Sequence, residues 1–164
     1  MNAVPILRRR DVPAHGPWPP EIPLVLQRVL AARGVLDHAS SELRLARMLP
    51  PDTLGGLDAA CALLQAAIDG DRRIVVVGDF DCDGATGTAV AVRGLRLLGA
   101  RFVDFRVPNR ATHGYGLSPA LVADIEAMAP DLLLTVDHGI ACHAGINAAR
   151  ARGWQVVVTD HHLP

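Results

Sequence analysis

The chain has 164 residues, half of them apolar, and a formal net charge of -1. These values suit one ordinary globular domain with a substantial core, and the charge neither requires nor excludes a nucleic-acid partner. Every basic side chain is arginine, which excludes lysine-dependent chemistry and leaves arginine, backbone N–H groups or metal ions for any phosphate contact.

Cysteine usage and hydropathy place the chain in a reducing compartment away from the membrane. Cys61, Cys82 and Cys142 are odd in number and widely spaced, so neither a disulfide framework nor a zinc ribbon is supported. No apolar run approaches the length of a membrane span, and Arg8–Arg10 follow a short apolar stretch, the reverse of a signal peptide. We therefore expect a cytoplasmic protein.

The first part of the chain predicts an extended lead-in and then a helical arm. Residues 1–20 are rich in proline and carry the arginine triplet, which favours extended structure. The spacing of apolar residues predicts an arm over residues 21–70. Its three helices are expected at 21–33, at about 40–49 with Ser40 or Ser41 as the cap, and at 57–69.

Residues 71–164 predict an α/β domain. Strands are expected at 73–77, 102–107, 132–136 and 154–159, and helices at about 86–98, 119–128 and 143–152. Strictly alternating strands and helices form right-handed βαβ units, which build a parallel β-sheet flanked by helices. Ligands of such sheets bind at the carboxyl ends of the strands.

Polar residues follow each of the four predicted strands. The loops are 79–84, 108–110, 137–139 and 160–162. Because parallel strands all end at the same edge of a sheet, these side chains are expected to lie on one edge. A random sequence would scatter them over both edges.

The acidic residues of these loops predict a metal centre. Its candidate ligands are Asp79, Asp81, Asp83, Asp137, Asp160 and His161. Carboxylates with little nitrogen and no thiolate suit Mn²⁺ or Mg²⁺, and their number suits two ions about 3.5–4 Å apart, the arrangement that hydrolyses phosphate esters or anhydrides. The alternative of a solvated turn is less favoured, because the acids directly follow a buried strand. An EF-hand is excluded, because its twelfth position would be Val90 instead of glutamate.

Other polar residues are assigned individually. His162 is expected to contact the scissile phosphate, and Asp160 could orient a histidine instead of binding metal. Asn109 and Arg110 are the candidates for phosphate binding, with a surface salt bridge as the alternative for Arg110. His138 is read as a loop residue. No function is assigned to His15, His38, His113 or His143.

Five motifs in chain order resemble the DHH phosphoesterase superfamily, and within it the bacterial exonucleases specific for single-stranded DNA. They are Gly78-Asp79-Phe80-Asp81-Cys82-Asp83-Gly84-Ala85-Thr86, Val107-Pro108-Asn109-Arg110, Gly114-Tyr115-Gly116-Leu117-Ser118, Thr135-Val136-Asp137-His138-Gly139-Ile140 and Thr159-Asp160-His161-His162-Leu163-Pro164. The resemblance covers nearly the whole chain from about Pro23.

The resemblance implies a 5′-to-3′ exonuclease that releases mononucleotides from single-stranded DNA in recombination and repair. It implies Asp79 and Asp81 on one metal ion, Asp83 and His161 on the other, and Asp137 between them, with His162 facing the phosphate and Arg110 the DNA backbone. The catalytic residues would be Asp137, His161 and His162. A helicase and a single-strand-binding protein are implied as partners.

The resemblance also implies segments that this chain lacks. Related enzymes continue past the position of Pro164 to a further metal-binding aspartate and to domains that clamp the strand. We therefore expect the chain to be the N-terminal part of a longer protein, with an incomplete metal site.

Other functions are weighed against this one. A DHH pyrophosphatase or oligoribonuclease would begin its first motif with histidine, where this chain has Asp79. An HAD-type phosphatase would match Asp81 and Asp83 but would leave the 160–162 triplet unexplained. A non-catalytic DHH scaffold that binds DNA or a partner would be expected to have lost metal ligands, and here they are present.

Overall fold

The structure is a computed structural model that describes residues 8–42 and 44–163. Residues 1–7 of the predicted lead-in, Leu43 of the second predicted helix and Pro164 of the last motif lie outside the described residues. The chain forms two compact units, Met1–Thr53 and Leu54–Pro164. Within the described ranges, no helix combines the length and apolar character needed to cross a membrane.

Residues 8–42 and 44–53 of the first unit contain two α-helices. Residues 8–19 form neither helix nor strand, as expected for the lead-in. Helix α1 (Leu24–Ala31) begins after Pro23, and α2 (His38–Ser41) is capped by Asp37, whose carboxylate accepts the Ser40 N–H at 2.6 Å. The prediction of a helix reaching residue 49 with a serine cap is wrong, because Asp37 caps it earlier and the chain then forms a separate 3-10 turn at Leu45–Arg47.

The second unit alternates helices and strands. Its elements are α3 (Leu57–Asp69), β1 (Arg73–Val77), α4 (Cys82–Leu97), β2 (Phe102–Arg106), α5 (Pro119–Ile125), β3 (Leu132–Val136), α6 (His143–Ala151) and β4 (Gln155–Thr159). A 3-10 turn, Glu126–Met128, extends α5. Helix α3 lies in this unit and packs on the sheet, whereas the predicted partition assigned it to the helical arm. That partition into functional domains stays a prediction.

The four strands form one parallel sheet in the order β2-β1-β3-β4, which confirms the predicted α/β class. Helices α3 and α4 pack on one face, where Ile74, Val76 and Leu134 point. Helices α5 and α6 pack on the other face against Val75 and Leu133. Apolar side chains therefore cover both faces of β1 and β3, as expected for parallel strands with continuous apolar runs.

The strand order creates a crevice between β1 and β3. From β1 the chain moves to β2 at one side of the sheet through α4, and from β2 it crosses to β3 on the other side of β1 through α5. Val77 lies opposite Thr135, so the two strands end side by side. Open parallel sheets bind ligands outside the carboxyl ends of strands at such a reversal.

Helix α4 begins at Cys82 and not near residue 86 as predicted. Its start is fixed by Asp81, whose side chain accepts the Gly84 N–H at 3.3 Å. An aspartate at this position satisfies a backbone donor that the first helical turn leaves unpaired. Asp81 is consequently the helix cap, and Asp83 lies in the first turn of α4.

Two glycines test the packing of the helices. A Cβ atom at Gly145 in α6 would collide with the backbone carbonyl of Leu117, whereas one at Gly94 in α4 meets no atom within 4 Å. We expect Gly145→Ala to lower the free energy of unfolding by about 1–3 kcal/mol through overpacking. Gly94→Ala should raise it by about 0.5–1 kcal/mol, because alanine is the better helix former. Urea unfolding of both variants measures this, and equal effects would contradict the packing described here.

Candidate metal centre

The turn after β1 brings one carboxylate into the protein and leaves two near the surface. Asp79 is 2% exposed, and its Oδ1 accepts the Phe80 N–H at 2.8 Å. A Cβ at Gly84 would lie 2.6 Å from the Asp79 Cβ, so only glycine lets the first turn of α4 come this close. The glycine therefore holds Asp81 and Asp83 beside the end of β1.

The turn after β3 brings in a second buried carboxylate. Asp137 is 8% exposed and has a φ of +66°, a left-handed conformation that is uncommon for residues other than glycine. Its N–H donates to the Thr159 carbonyl at 3.0 Å, and the Tyr115 hydroxyl donates to its carbonyl at 3.3 Å. These two hydrogen bonds hold the strained backbone of Asp137 at the crevice. Strained backbone conformations of this kind are common at functional sites.

The residues after β4 complete the group. His161 Nε2 lies 2.8 Å from Asp137 Oδ1 and 3.8 Å from Asp83 Oδ2. His162 Nδ1 donates to Asp160 Oδ1 at 2.8 Å and lies 4.0 Å from Asp137 Oδ1. The histidine pair therefore reaches the carboxylates of both preceding turns.

The Asp160 carboxylate faces the backbone and the His162 ring. Its carboxylate accepts the N–H groups of Ile140 and His162, each at 3.0 Å, and the His162 ring. Burial opposes its ionisation, but these three hydrogen bonds outweigh it and lower the pKa of Asp160 to about 2. The hydrogen bond to Asp160 in turn raises the pKa of His162 above its ordinary value.

Two groups of ligand atoms satisfy the spacing that a metal ion needs. Atoms of Asp79, Asp81 and Asp137 lie within 4.8 Å of one another, and so do atoms of Asp137, His161 and His162. Asp137 belongs to both groups. Carboxylate oxygens with one or two imidazoles are donors that suit Mn²⁺ or Mg²⁺, with the nitrogen favouring manganese.

The close approach of the carboxylates of Asp79, Asp81 and Asp83 also favours a metal site. The Gly84 N–H favours the charged form of Asp81, but desolvation, Asp83 and Asp79 oppose it and the pKa of Asp81 lies above its ordinary value. The pKa of Asp83 is lowered by its own backbone N–H and by a hydrogen bond from Asp81. Neighbouring carboxylates repel one another when both are charged, and a bound cation would offset that repulsion. The donor set therefore fits divalent metal ions.

The two predicted phosphate ligands lie on the same edge of the sheet but outside these groups. Asn109 and Arg110 follow β2, and both are exposed. The Arg110 guanidinium carbon lies 4.0 Å from the centroid of the Phe80 ring. Phe80 stands between Asp79 and Asp81 in the sequence, so Arg110 is stacked on the loop that carries the candidate ligands.

His138 lies in the loop after β3, in agreement with its interpretation as a loop residue, but its side chain is not at the surface. Its side chain is fully buried, and burial lowers its pKa, the nearby Asp79 opposing this. Within the described residues neither ring nitrogen completes a hydrogen bond. The left-handed backbone of Asp137 interrupts the alternation of side chains beyond β3, so no periodicity in the sequence indicates that His138 is buried.

A cleft opens next to His162. It is lined by Tyr115, Leu117, Ile140, Cys142 and other residues of the α5 and α6 face, and its volume is about 560 Å³. Ligand sites commonly measure roughly 300–1,000 Å³. The candidate centre therefore has room beside it for a group of nucleotide size.

Comparison with known proteins gives a family and several relatives. Residues 73–164 match the DHH family, N-terminal domain. The chain is 49% identical over 164 residues to the single-stranded-DNA-specific exonuclease RecJ of Dickeya dadantii, covering 100% of this chain and 28% of that protein. The enzyme of the same name from Escherichia coli is 47% identical over 158 residues, which are 96% of this chain and 27% of that protein.

A solved structure agrees with these relatives. The crystal structure of exonuclease RecJ bound to manganese matches with a TM-score of 0.62 and 46% identity, over 75% of this chain and 30% of that chain. The chain thus spans about a quarter of the length of the curated relatives it matches.

The pair formed by Asp160 and His162 can be tested by titration. In the metal-free chain we expect the His162 ring to titrate above the ordinary value of 6.5, and Asp160→Asn to return it toward that value. Because the pKa of His162 is raised on folding, the pair stabilises the protein below the ordinary pKa, and this contribution is lost as the pH rises through the raised pKa. Asp160→Asn should therefore destabilise more in mildly acidic than in alkaline buffer.

Side-chain NMR of the histidines measures the titration, and urea unfolding at both pH values measures the stability. Asp58→Asn is the matched control, because Asp58 is an exposed carboxylate in the first turn of α3. An unchanged His162 titration in Asp160→Asn would contradict the pairing.

Proposed function

The chain belongs to the DHH family, and on that premise we propose that it is the catalytic, metal-binding part of a 5′-to-3′ exonuclease acting on single-stranded DNA. It is homologous to the N-terminal DHH region of RecJ exonucleases. The observation that carries the proposal is the convergence of Asp79, Asp81 and Asp137 with His161 and His162 at the carboxyl edge of the sheet.

We assign Asp79 and Asp81 to one ion, Asp83 and His161 to a second, and Asp137 to both. The shared place of Asp137 in the two ligand groups and the 3.8 Å between Asp83 and His161 support this assignment. When bound, two Mn²⁺ or Mg²⁺ ions supply Lewis acidity, which activates water and neutralises charge on a phosphodiester.

His162 is assigned to the phosphate. Asp160 holds its Nδ1, which fixes the ring orientation and leaves Nε2 to face the substrate. The raised pKa of His162 favours a protonated ring, and a charged N–H donor binds a phosphate oxygen more strongly than a neutral one. The same ring can hold a proton for the leaving oxygen.

We assign Arg110 and Asn109 to contacts with the nucleic-acid strand. Both residues follow β2, at the same edge of the sheet as the candidate metal centre. The preference for single-stranded DNA is supported by the names of the relatives alone. Because the chain spans about a quarter of those relatives, we propose that it works as the N-terminal part of a longer cytoplasmic protein. A helicase and a single-strand-binding protein are the proposed partners.

Metal binding provides the first test. We expect Mn²⁺ titrated into the chain to bind saturably, and Asp137→Asn to weaken binding by at least about 10-fold, the loss typical even of groups outside the ligand shell. Asp81→Asn should also weaken it. Isothermal calorimetry measures the affinity, and Asp58→Asn on α3 is the matched control.

The outcomes of this titration differ in meaning. Equal affinities of Asp137→Asn and Asp58→Asn would overturn the ligand assignment. A folded wild-type chain that binds no Mn²⁺ would overturn the expectation that these residues bind metal without the further aspartate expected after the position of Pro164.

Cleavage provides the second test. In the longer protein we expect 5′-end-labelled single strands to lose their label as mononucleotides before 3′-end-labelled strands do. His162→Ala should lower kcat by about 10²–10⁴-fold, the range for a lost acid–base group, while leaving Mn²⁺ affinity within a few-fold. Release from the 3′ end, or equal cleavage of RNA of the same sequence, would contradict the proposed specificity.

A further inference from the structure

The loop after β2 is fastened by a histidine to which the sequence assigned no function. His113 Nδ1 accepts the backbone N–H of Asn109 at 3.0 Å, and its Nε2 lies 2.7 Å from Asp124 Oδ2 on α5. Because Nδ1 accepts a proton donor, the ring proton resides on Nε2 and is donated to the carboxylate. His113 thus joins both ends of the 109–113 turn and ties the turn to α5.

The same turn is closed from within. The Asn109 side-chain oxygen accepts the Ala111 N–H at 3.0 Å, and the Asn109 carbonyl accepts the N–H groups of Thr112 and His113 at 3.1 and 2.8 Å. Only Arg110 of this turn projects a charged side chain. These hydrogen bonds therefore hold the turn in one conformation, from which one guanidinium group projects.

The guanidinium itself rests on an aromatic ring. Arg110 lies 4.0 Å above the centroid of Phe80, a distance well within the roughly 6 Å at which cation–π attraction operates. Stacking uses the face of the guanidinium and leaves its N–H groups at the edge free. Phe80 is half-buried and covalently joined to Asp79 and Asp81, so the stack fixes Arg110 relative to the candidate metal centre.

Two other arginines of this unit form ion pairs with carboxylates. Arg101 pairs with Asp71 at 2.9 Å, and Arg152 with Glu126 at 3.1 Å. Within residues 8–42 and 44–163, Arg110 forms no ion pair with a carboxylate. An arginine that is held in place but not neutralised is suited to bind an anion.

We propose that Phe80, His113 and Asp124 are positioning residues that hold Arg110 as a preorganised fork for a phosphate group of the nucleic-acid strand. The inference rests on the proposed function, since it takes a phosphodiester strand as the substrate. Fixing a long side chain before binding reduces the conformational entropy lost on binding. His113 and Phe80 act through Arg110 and do not touch the phosphate.

A double-mutant cycle tests this, because residues that act through Arg110 lose their effect once Arg110 is removed. The probe is a short 5′-phosphorylated oligothymidylate, with binding followed by fluorescence anisotropy in EDTA so that the strand is not cut. We expect Arg110→Ala to weaken binding about 10-fold and to reduce the slope of log K against log salt by about 1. Phe80→Leu should weaken binding about 2- to 5-fold, with a similar loss for His113→Ala.

The decisive comparison is made in the Arg110→Ala background. There Phe80→Leu and His113→Ala should cause no further loss, and in the wild-type background Phe80→Tyr should bind like the wild type because it keeps the ring. Asp124→Asn, at an exposed residue, provides a milder variant if His113→Ala does not fold. Arg150→Ala on α6 is the matched control, since it removes the same charge at the opposite edge of the sheet.

The proposal would be overturned if Phe80→Leu and His113→Ala weakened binding equally in the wild-type and Arg110→Ala backgrounds. It would also be overturned if Arg110→Ala bound the probe like Arg150→Ala, or if the wild type did not bind the probe. Mn²⁺ calorimetry on the same variants separates this result from the proposed function. Normal metal binding together with additive effects of the substitutions on DNA binding would reject only the positioning of Arg110. Absence of Mn²⁺ binding in the wild type would reject the metal centre.

Discussion

Two buried carboxylates, Asp79 and Asp137, meet where the neighbouring strands β1 and β3 end. Buried like charges are costly unless a cation or hydrogen bonds offset them. Asp81 adds a third carboxylate to the same group, and its raised pKa records the crowding. The need to offset this charge, by hydrogen bonds or by a cation, is the constraint on which the arrangement of this edge depends.

The surrounding backbone keeps these charges together. Gly84 permits the first turn of α4 to approach Asp79, and Asp137 accepts a left-handed conformation secured by bonds to Thr159 and Tyr115. A glycine within a helix and a left-handed aspartate each carry a conformational cost that an ordinary surface turn does not have. Both features lie at the edge of the sheet that carries the candidate metal centre.

The two side chains assigned to the substrate phosphate, His162 and Arg110, are both held in place by neighbouring residues. His162 is oriented by Asp160, which makes three hydrogen bonds and belongs to neither group of metal-ligand atoms. Arg110 is held between the Phe80 ring and a turn fastened by His113. In each case a residue that would touch phosphate is supported by residues that do not, which reduces the motion to be lost when substrate binds. The two supports lie on opposite sides of the acidic group, one after β4 and one after β2.

The sequence by itself determined the α/β class, the bounds of β1, β3 and α3, and the gathering of four polar loops at one edge. Periodicity is a local property that indicates each element, and the alternation of strands and helices indicates parallel strands that end at one edge. It did not determine that Asp37 caps α2, that His138 is buried, or that His113 binds Asn109 and Asp124. Those facts depend on which residues from distant segments or competing caps become neighbours, and only the packed tertiary structure decides that.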